Sequence, residues 1–224
     1  MELDLGPMTV GPNSGAALER LGALRRAGVL CDVELVVAGR WTVAAHALVI
    51  AAAAAPLREL VLAAPPSGVQ GLRRVPLEGV TSAEAAEALV EFIYGGGTAA
   101  AASSYQPATD SINRDVLLLA QRFQLKGLEV QARWHLASGV TECNALGRLA
   151  ICEEFEIADV REMLLSRLIA NPPWLFRLAT DRGIETLPLV MRDLLLRILV
   201  MVGGRQQGTA CDGDARDHPK KAGE

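Results

Sequence analysis

One stretch, Leu30 to Leu62 (LCDVELVVAGRWTVAAHALVIAAAAAPLRELVL), constrains the fold of this chain more than any other. It opens with side chains that alternate in character, Asp32-Val33-Glu34-Leu35, and turns wholly apolar at Val36-Val37. A period of two lays one face of a strand against a core. Gly39-Arg40 is a tight-turn candidate, and Trp41 to Ala45 reads as the return strand. His46 to Ala55 follows at once and is built almost wholly of Ala, Leu, Val and Ile. A helix that is apolar all round has no face to offer water and is expected to be buried. Pro56 cannot continue that helix's hydrogen bonds but suits the first turn of a new one, which runs to Leu62. Asp32 and His46 are the two ionisable groups of the stretch expected to be buried. A buried polar group is tolerated only when hydrogen-bonded, so each should satisfy backbone groups or a partner at a subunit interface.

Around this stretch the chain divides into an α+β part and a helical part. Residues 1–13 carry Gly6, Pro7, Gly11 and Pro12 and are expected to be flexible. Ser14 caps a predicted helix through Ala27, with Gly28 just past its end. Leu18, Leu21 and Leu24 recur on it at a spacing of three. That stripe suits either an intramolecular core or a contact with a second chain. A loop over 63–72 precedes a third strand, Arg73 to Leu77. Thr81-Ser82-Ala83-Glu84 is a capping-box pattern that opens a helix to Tyr94, ended by Gly95-Gly96-Gly97. Residues 98–110 are low in complexity and read as a mobile insertion. Helices are expected over about 113–123, 126–137, 142–155 and 157–170, then 174–180 and 187–202. Asn171-Pro172-Pro173 interrupts them, and Trp174 and Phe176 beyond the break read as core anchors. Residues 203–224 are charged and Gly-rich and are expected to be disordered. The predicted organisation is thus a flexible 1–13, an α+β domain over 14–138 with a short three-stranded sheet flanked by helices, an all-α domain over 139–202 and a tail.

Composition removes several function classes. A formal charge of −4 lacks the positive excess that phosphate binding demands, so no nucleic-acid partner is expected. Cys31, Cys143, Cys152 and Cys211 form no C-x-x-C pair and match no zinc spacing. Reduced, packed thiols suit the cytoplasm or the nucleus. The N-terminus lacks a basic region followed by an apolar run, so no secretory signal is expected. Leu187 to Val202 carries Arg192, Asp193 and Arg197 and is too short for a membrane span. Gly95-Gly96-Gly97 lacks the Gly-Lys-Ser/Thr ending of a phosphate loop. No nucleophile stands beside Asp32 or His46. No catalytic residue, metal ligand or cofactor is therefore assigned, and the chain is read as a non-enzymatic protein.

From Ala17 to Leu136 these features together resemble a BTB/POZ domain. A leading helix precedes a strand carrying Asp32 (Leu30-Cys31-Asp32-Val33). An Ala45-His46 pair follows the second strand and leads into Val49-Ile50-Ala51-Ala52. Later come Val75-Pro76-Leu77, Phe92-Ile93-Tyr94-Gly95 and a helix with Leu117, Leu118, Ala120 and Phe123. The segment from Val140 to Pro172 resembles the BACK helical region that often follows such a domain. It shares the Val140-Thr141-Glu142-Cys143-Asn144-Ala145 opening and a two-helix hairpin through Ile169.

The resemblance implies a protein–protein adaptor. It implies a homodimer, with Leu18, Leu21, Leu24 and Asp32 at the interface and Asp32 and His46 as the family's buried polar marks. It implies a partner face that includes Leu57, Leu60, Val61 and Phe123, and a substrate adaptor of a cullin-RING ubiquitin ligase. The sequence departs from the family at three places. Ala47 replaces a commonly basic residue, Pro56-Leu57 replaces an aromatic pair, and residues 63–72 contain no acid where cullin-binding members often carry hydrophobic-x-Glu. An assembly-only scaffold, or a transcriptional cofactor without cullin binding, is the alternative.

Overall fold

The computed structural model describes residues 14–68, 71–96 and 105–208. The expectations for residues 1–13, for most of the 98–110 insertion and for residues 209–224 lie outside these segments. Helix α1 (Ser14–Arg26) ends one residue before the expected Ala27. The Val29 N–H donates to Leu24 O and the Gly28 N–H to Arg25 O, and Gly28 takes the left-handed backbone this cap needs (φ 67°). Strands β1 (Val33–Val37) and β2 (Trp41–Ala45) form an antiparallel hairpin. Its turn centres on Ala38-Gly39, both at positive φ, one residue earlier than the expected Gly39-Arg40. Alternation is read correctly along β1, where Val33, Leu35 and Val37 are fully buried.

Helices α2 (Ala47–Ala53) and α3 (Ala55–Ala63) carry the chain to β4 (Leu72–Leu77), which pairs with β1 in parallel. Among the described residues the sheet has four strands, in the order β2-β1-β4-β3, and not the expected three. The addition is the two-residue edge strand β3 (Pro66–Ser67), antiparallel to β4. Two residues carry no periodicity, and Pro is tolerated at an edge because its missing N–H removes no ladder bond.

Helix α4 (Ala83–Tyr94) starts at Ser82, whose Oγ accepts from the Ala85 N–H at 3.1 Å. The expected box with Thr81 as its cap is shifted by one residue. Thr81 instead points to α5 (Asp110–Arg122), and the fully buried Asp115 there collects donors. Its Oδ2 accepts from Thr81 N (2.8 Å), Thr81 Oγ1 (2.9 Å) and Ser82 N (3.0 Å). Its Oδ1 accepts from an Arg114 guanidinium N–H (3.1 Å).

The remainder is helical: α6 (Lys126–Ala137), α7 (Ala145–Glu154), α8 (Ala158–Ala170), α9 (Pro172–Thr180), a 3-10 turn (Arg182–Thr186) and α10 (Pro188–Gly208). Hairpin α5–α6 is repeated by α7–α8 at an offset of about 32 residues, a length typical of helical repeats. Buried Leu117, Ala120, Phe123, Leu125 and Leu128 have the counterparts Leu149, Cys152, Phe155, Ile157 and Val160. Both hairpins turn through a non-glycine residue at positive φ, Gln124 (57°) and Glu156 (54°). Both close with the same bond, Leu125 N–H to Ala120 O and Ile157 N–H to Cys152 O, each 2.8 Å. The hydrophobic core runs unbroken from the sheet through both hairpins to Leu194. Helix α10 continues to Gly208, so residues 203–208 are helical where disorder is expected. Phe176 is 74% exposed and is not a core anchor. Among the described residues no helix is long and apolar enough to cross a membrane.

Candidate assembly surface

His46 and Asp32 join three elements at the base of α2. The His46 ring is buried, with Nε2 3.0 Å from the Val29 carbonyl and Nδ1 2.7 Å from the Tyr94 hydroxyl. A carbonyl can only accept, so Nε2 carries the proton. Tyr94 then donates its hydroxyl proton to Nδ1 and accepts the His46 backbone N–H at 2.9 Å. Every polar atom of the pair has a use, and burial pushes the Tyr94 hydroxyl above its ordinary pKa. Asp32 differs from expectation: it is exposed, and its Oδ1 accepts the Ala47 N–H at 2.6 Å. That bond satisfies a free donor of the first turn of α2, where a negative charge is favourable. His46 is thus a buried polar group held by its own chain, and Asp32 is a surface clamp.

Replacing Tyr94 with Phe removes both hydroxyl bonds and leaves His46 N and Nδ1 unpaired in the interior. The expected loss is about 2–3 kcal/mol in urea unfolding. A loss under about 0.5 kcal/mol would show that the His46 network does not anchor the fold.

Of the other residues expected at an interface, Leu18 and Leu21 are half-buried against the core and Leu24 is exposed. Arg25 stacks its guanidinium 5.5 Å from the Tyr94 ring centroid and pairs with Glu91, which fixes α1 on α4. The expected partner face is corrected. Leu57, Val61 and Phe123 are 0%, 2% and 0% exposed, and Leu60 is half-buried. Leu57 and Val61 lie one helical turn apart on the inward face of α3, and Phe123 closes α5 from beneath. The outward residues of α3 include Arg58, Glu59 and Leu62.

The larger surprise is α2. Its composition demands burial, yet Leu48 is 81% exposed and Ala52 and Ala53 are also open. These three residues and Leu18 border an apolar cleft of about 450 Å³ floored by Phe92 and Leu125. Leu30 stands nearby, 78% exposed and held at φ 60°. The bond from His46 to the carbonyl of Val29 ties the residue before Leu30 to the base of α2. Leu48 and Leu30 are not identifiable from sequence as surface residues, since an apolar residue in an apolar helix reads as core.

Arg148 was also hidden in the sequence. It is 5% exposed and joins three helices. Its Nε donates to both Asp110 oxygens (3.1 and 3.0 Å) at the start of α5. One terminal nitrogen donates to the carbonyls of His135, Leu136 and Ser138 at the end of α6. Burial, aided by the Arg148 charge, holds the neighbouring His135 imidazole below its ordinary pKa, while Asp110 works against them. Charged residues on a predicted helix are normally placed in water, so periodicity could not find this one.

The three described cysteines are free, and burial pushes the Cys152 thiol up to about 12. Among the described residues no group of His, Cys, Asp and Glu could hold a metal ion.

Residues 21–139, just over half of the chain, match the family model of the BTB/POZ domain. A curated relative, Kelch-like protein 35 of Mus musculus, is 28% identical over 156 residues. That alignment takes in 70% of this chain and 26% of the relative, so the match spans about a quarter of the relative's length. Among solved structures, the BTB (Tramtrack and Bric a brac) domain of human Gigaxonin aligns with a TM-score of 0.40 at 18% identity, over 57% of this chain and 94% of that one.

Proposed function

The chain belongs to the BTB/POZ domain family, and from that premise we propose that it is an adaptor that homodimerises through α1 and α2. The observation that carries this reading is the open apolar side of α2. A helix of Ala, Leu, Val and Ile gains nothing from facing water, and burying one Leu fully is worth about 2 kcal/mol. Leu48 borders the cleft, Leu24 on α1 and Leu30 just after it are also exposed, and a second copy offers the same set in return. Self-complementary twofold contacts of this kind are the commonest route to a dimer. Leu30 adds to the argument, because a left-handed backbone costs a non-glycine residue about 1 kcal/mol or more and such strain gathers at functional surfaces.

The expected result is a solution mass twice that of one chain by light scattering. Leu48→Glu should yield a folded monomer with unchanged circular dichroism. Leu48→Glu is a cleaner probe than Leu21→Asp, since Leu21 also packs on the core. A wild-type monomer, or a Leu48→Glu variant that keeps the dimer mass, would refute the proposal.

Beyond dimerisation, the family supports a role in the cytoplasm or nucleus as the substrate-receiving part of a cullin-RING ubiquitin ligase, with α7–α8 as a BACK-like extension. Binding to a cullin N-terminal domain in a pull-down tests that step. Two observations favour the second reading, an assembly-only scaffold or transcriptional cofactor. Residues 63–72 carry no acidic side chain, and Leu57, Val61 and Phe123 are spent on the core. A folded dimer that fails to bind cullin would leave this second reading.

A further inference from the structure

A groove of about 590 Å³ lies between α1, α4 and the segment 105–108 and shares Leu18 and Phe92 with the α2 cleft. Its floor includes Leu18, Phe92 and Ile112, and Glu19, Glu84, Glu87 and Glu91 stand around it. Tyr105 fixes one wall. Its hydroxyl donates to Asn113 Oδ1 at 2.6 Å, and the buried Asn113 donates to the Ala132 carbonyl at 3.1 Å. Glu91 is answered by Arg25 and Arg26. Glu19, Glu84 and Glu87 form no ion pair with any described residue.

Glu84, Glu87 and Glu91 also recur at spacings of three and four along one face of α4. Like charges so placed repel one another and weaken their own helix slightly. Glu91 offsets this through Arg25 and Arg26, and Glu84 through its place in the first turn of α4, whereas Glu87 has no such compensation among the described residues. Residues 1–13 and 97–104, the undescribed segments that adjoin α1 and α4 in sequence, contain no Lys, Arg or His. Residues 209–224 carry Arg216, Lys220 and Lys221 but no large apolar side chain for the floor.

We propose that this groove docks a basic, amphipathic segment of a partner protein, with apolar side chains on the floor and Lys or Arg against Glu19, Glu84 and Glu87. The inference goes beyond the dimer and ligase readings and needs neither, since every wall belongs to one chain. The test is fluorescence anisotropy of a labelled helical peptide of Leu and Lys, about 14 residues long, titrated with the full chain. A peptide with Glu in place of Lys serves as its control. Binding of the Lys peptide alone is expected, weakening as salt rises from about 50 to about 300 mM. Glu84→Lys with Glu87→Lys should weaken it by about tenfold or more. Glu59→Lys with Glu185→Lys changes the net charge equally at exposed sites and should weaken it by less than about twofold. The milder Glu84→Gln with Glu87→Gln should weaken it by about threefold or more, with an unchanged unfolding midpoint. No binding of the Lys peptide would overturn the proposal. So would equal weakening by the two Lys pairs, because the attraction would then belong to the net charge.

Discussion

Replacing Arg148 with Met lowers the stability of the folded chain by about 3–5 kcal/mol. The side chain is almost wholly buried and makes two kinds of contact at once. It neutralises Asp110 at the start of α5, and it donates to carbonyls at the end of α6 that lack a backbone N–H partner in their own helix, of which His135 O also accepts from Ser138 Oγ. Met fills most of the volume but answers neither. Its loss leaves a partly buried carboxylate unpaired and several carbonyls short of a donor. Removing one partner of a buried pair costs far more than the pair is worth over an apolar pair of equal size. Urea unfolding of the wild type and of Arg148→Met, followed by far-UV circular dichroism, measures the difference. Asp110→Asn should cost less, because Asp110 is 25% exposed and the carbonyls keep their donor. A loss below about 1 kcal/mol for Arg148→Met would show that water replaces the guanidinium and that the joint between the two hairpins does not rest on it.

Asp115→Ala carries a comparable cost, again about 3–5 kcal/mol, by a different route. Here one carboxylate satisfies two backbone N–H groups and a hydroxyl at the entrance to α4, and it is fully buried. Hydrogen bonds to a charged group are worth about 1.5–3 kcal/mol each, and the Ala variant strands all of the donors together. Asp115→Asn keeps the shape and one acceptor oxygen but loses the charge that also faces Arg114, so it should recover about half of the loss. Hydrogen exchange locates the effect. Amides in the first turn of α4 should lose protection in Asp115→Ala well before those of β1. Uniform loss across the chain would show that Asp115 supports the core as a whole and not the α4 entrance.

The residues behind both predictions are hidden from sequence patterning, unlike most of the elements around them. Apolar periodicity found β1, because Val33, Leu35 and Val37 repeat every two residues, and it found α4 to α8 with small errors at the ends. Turn and cap chemistry found the Gly28 cap and the break at Asn171-Pro172-Pro173, although the next helix starts at Pro172 and not at the expected 174. The failures share a cause. Asp115 and Arg148 lie on predicted helices, where a charge is read as solvated. Each is buried because a neighbouring element presents unpaired backbone groups at that point, and such groups have no signature in the sequence. The edge strand Pro66–Ser67 exists because β4 already offers a free ladder, not because two residues prefer to be extended.

The same division holds for the candidate site. The sequence alone determined the α+β character, the helical second half, the apolar nature of α2 and the BTB/POZ resemblance, since these rest on local pattern and order along the chain. Tertiary structure decided which side of each helix meets the core. It turned Leu57, Val61 and Phe123 inward and left Leu48 and Leu30 in the open. It placed Asp32 on the surface while burying His46 against Tyr94. A helix of uniform apolarity carries no moment to orient it, so its facing is set by the sheet and helices it meets, and only their arrangement in space distinguishes core from interface.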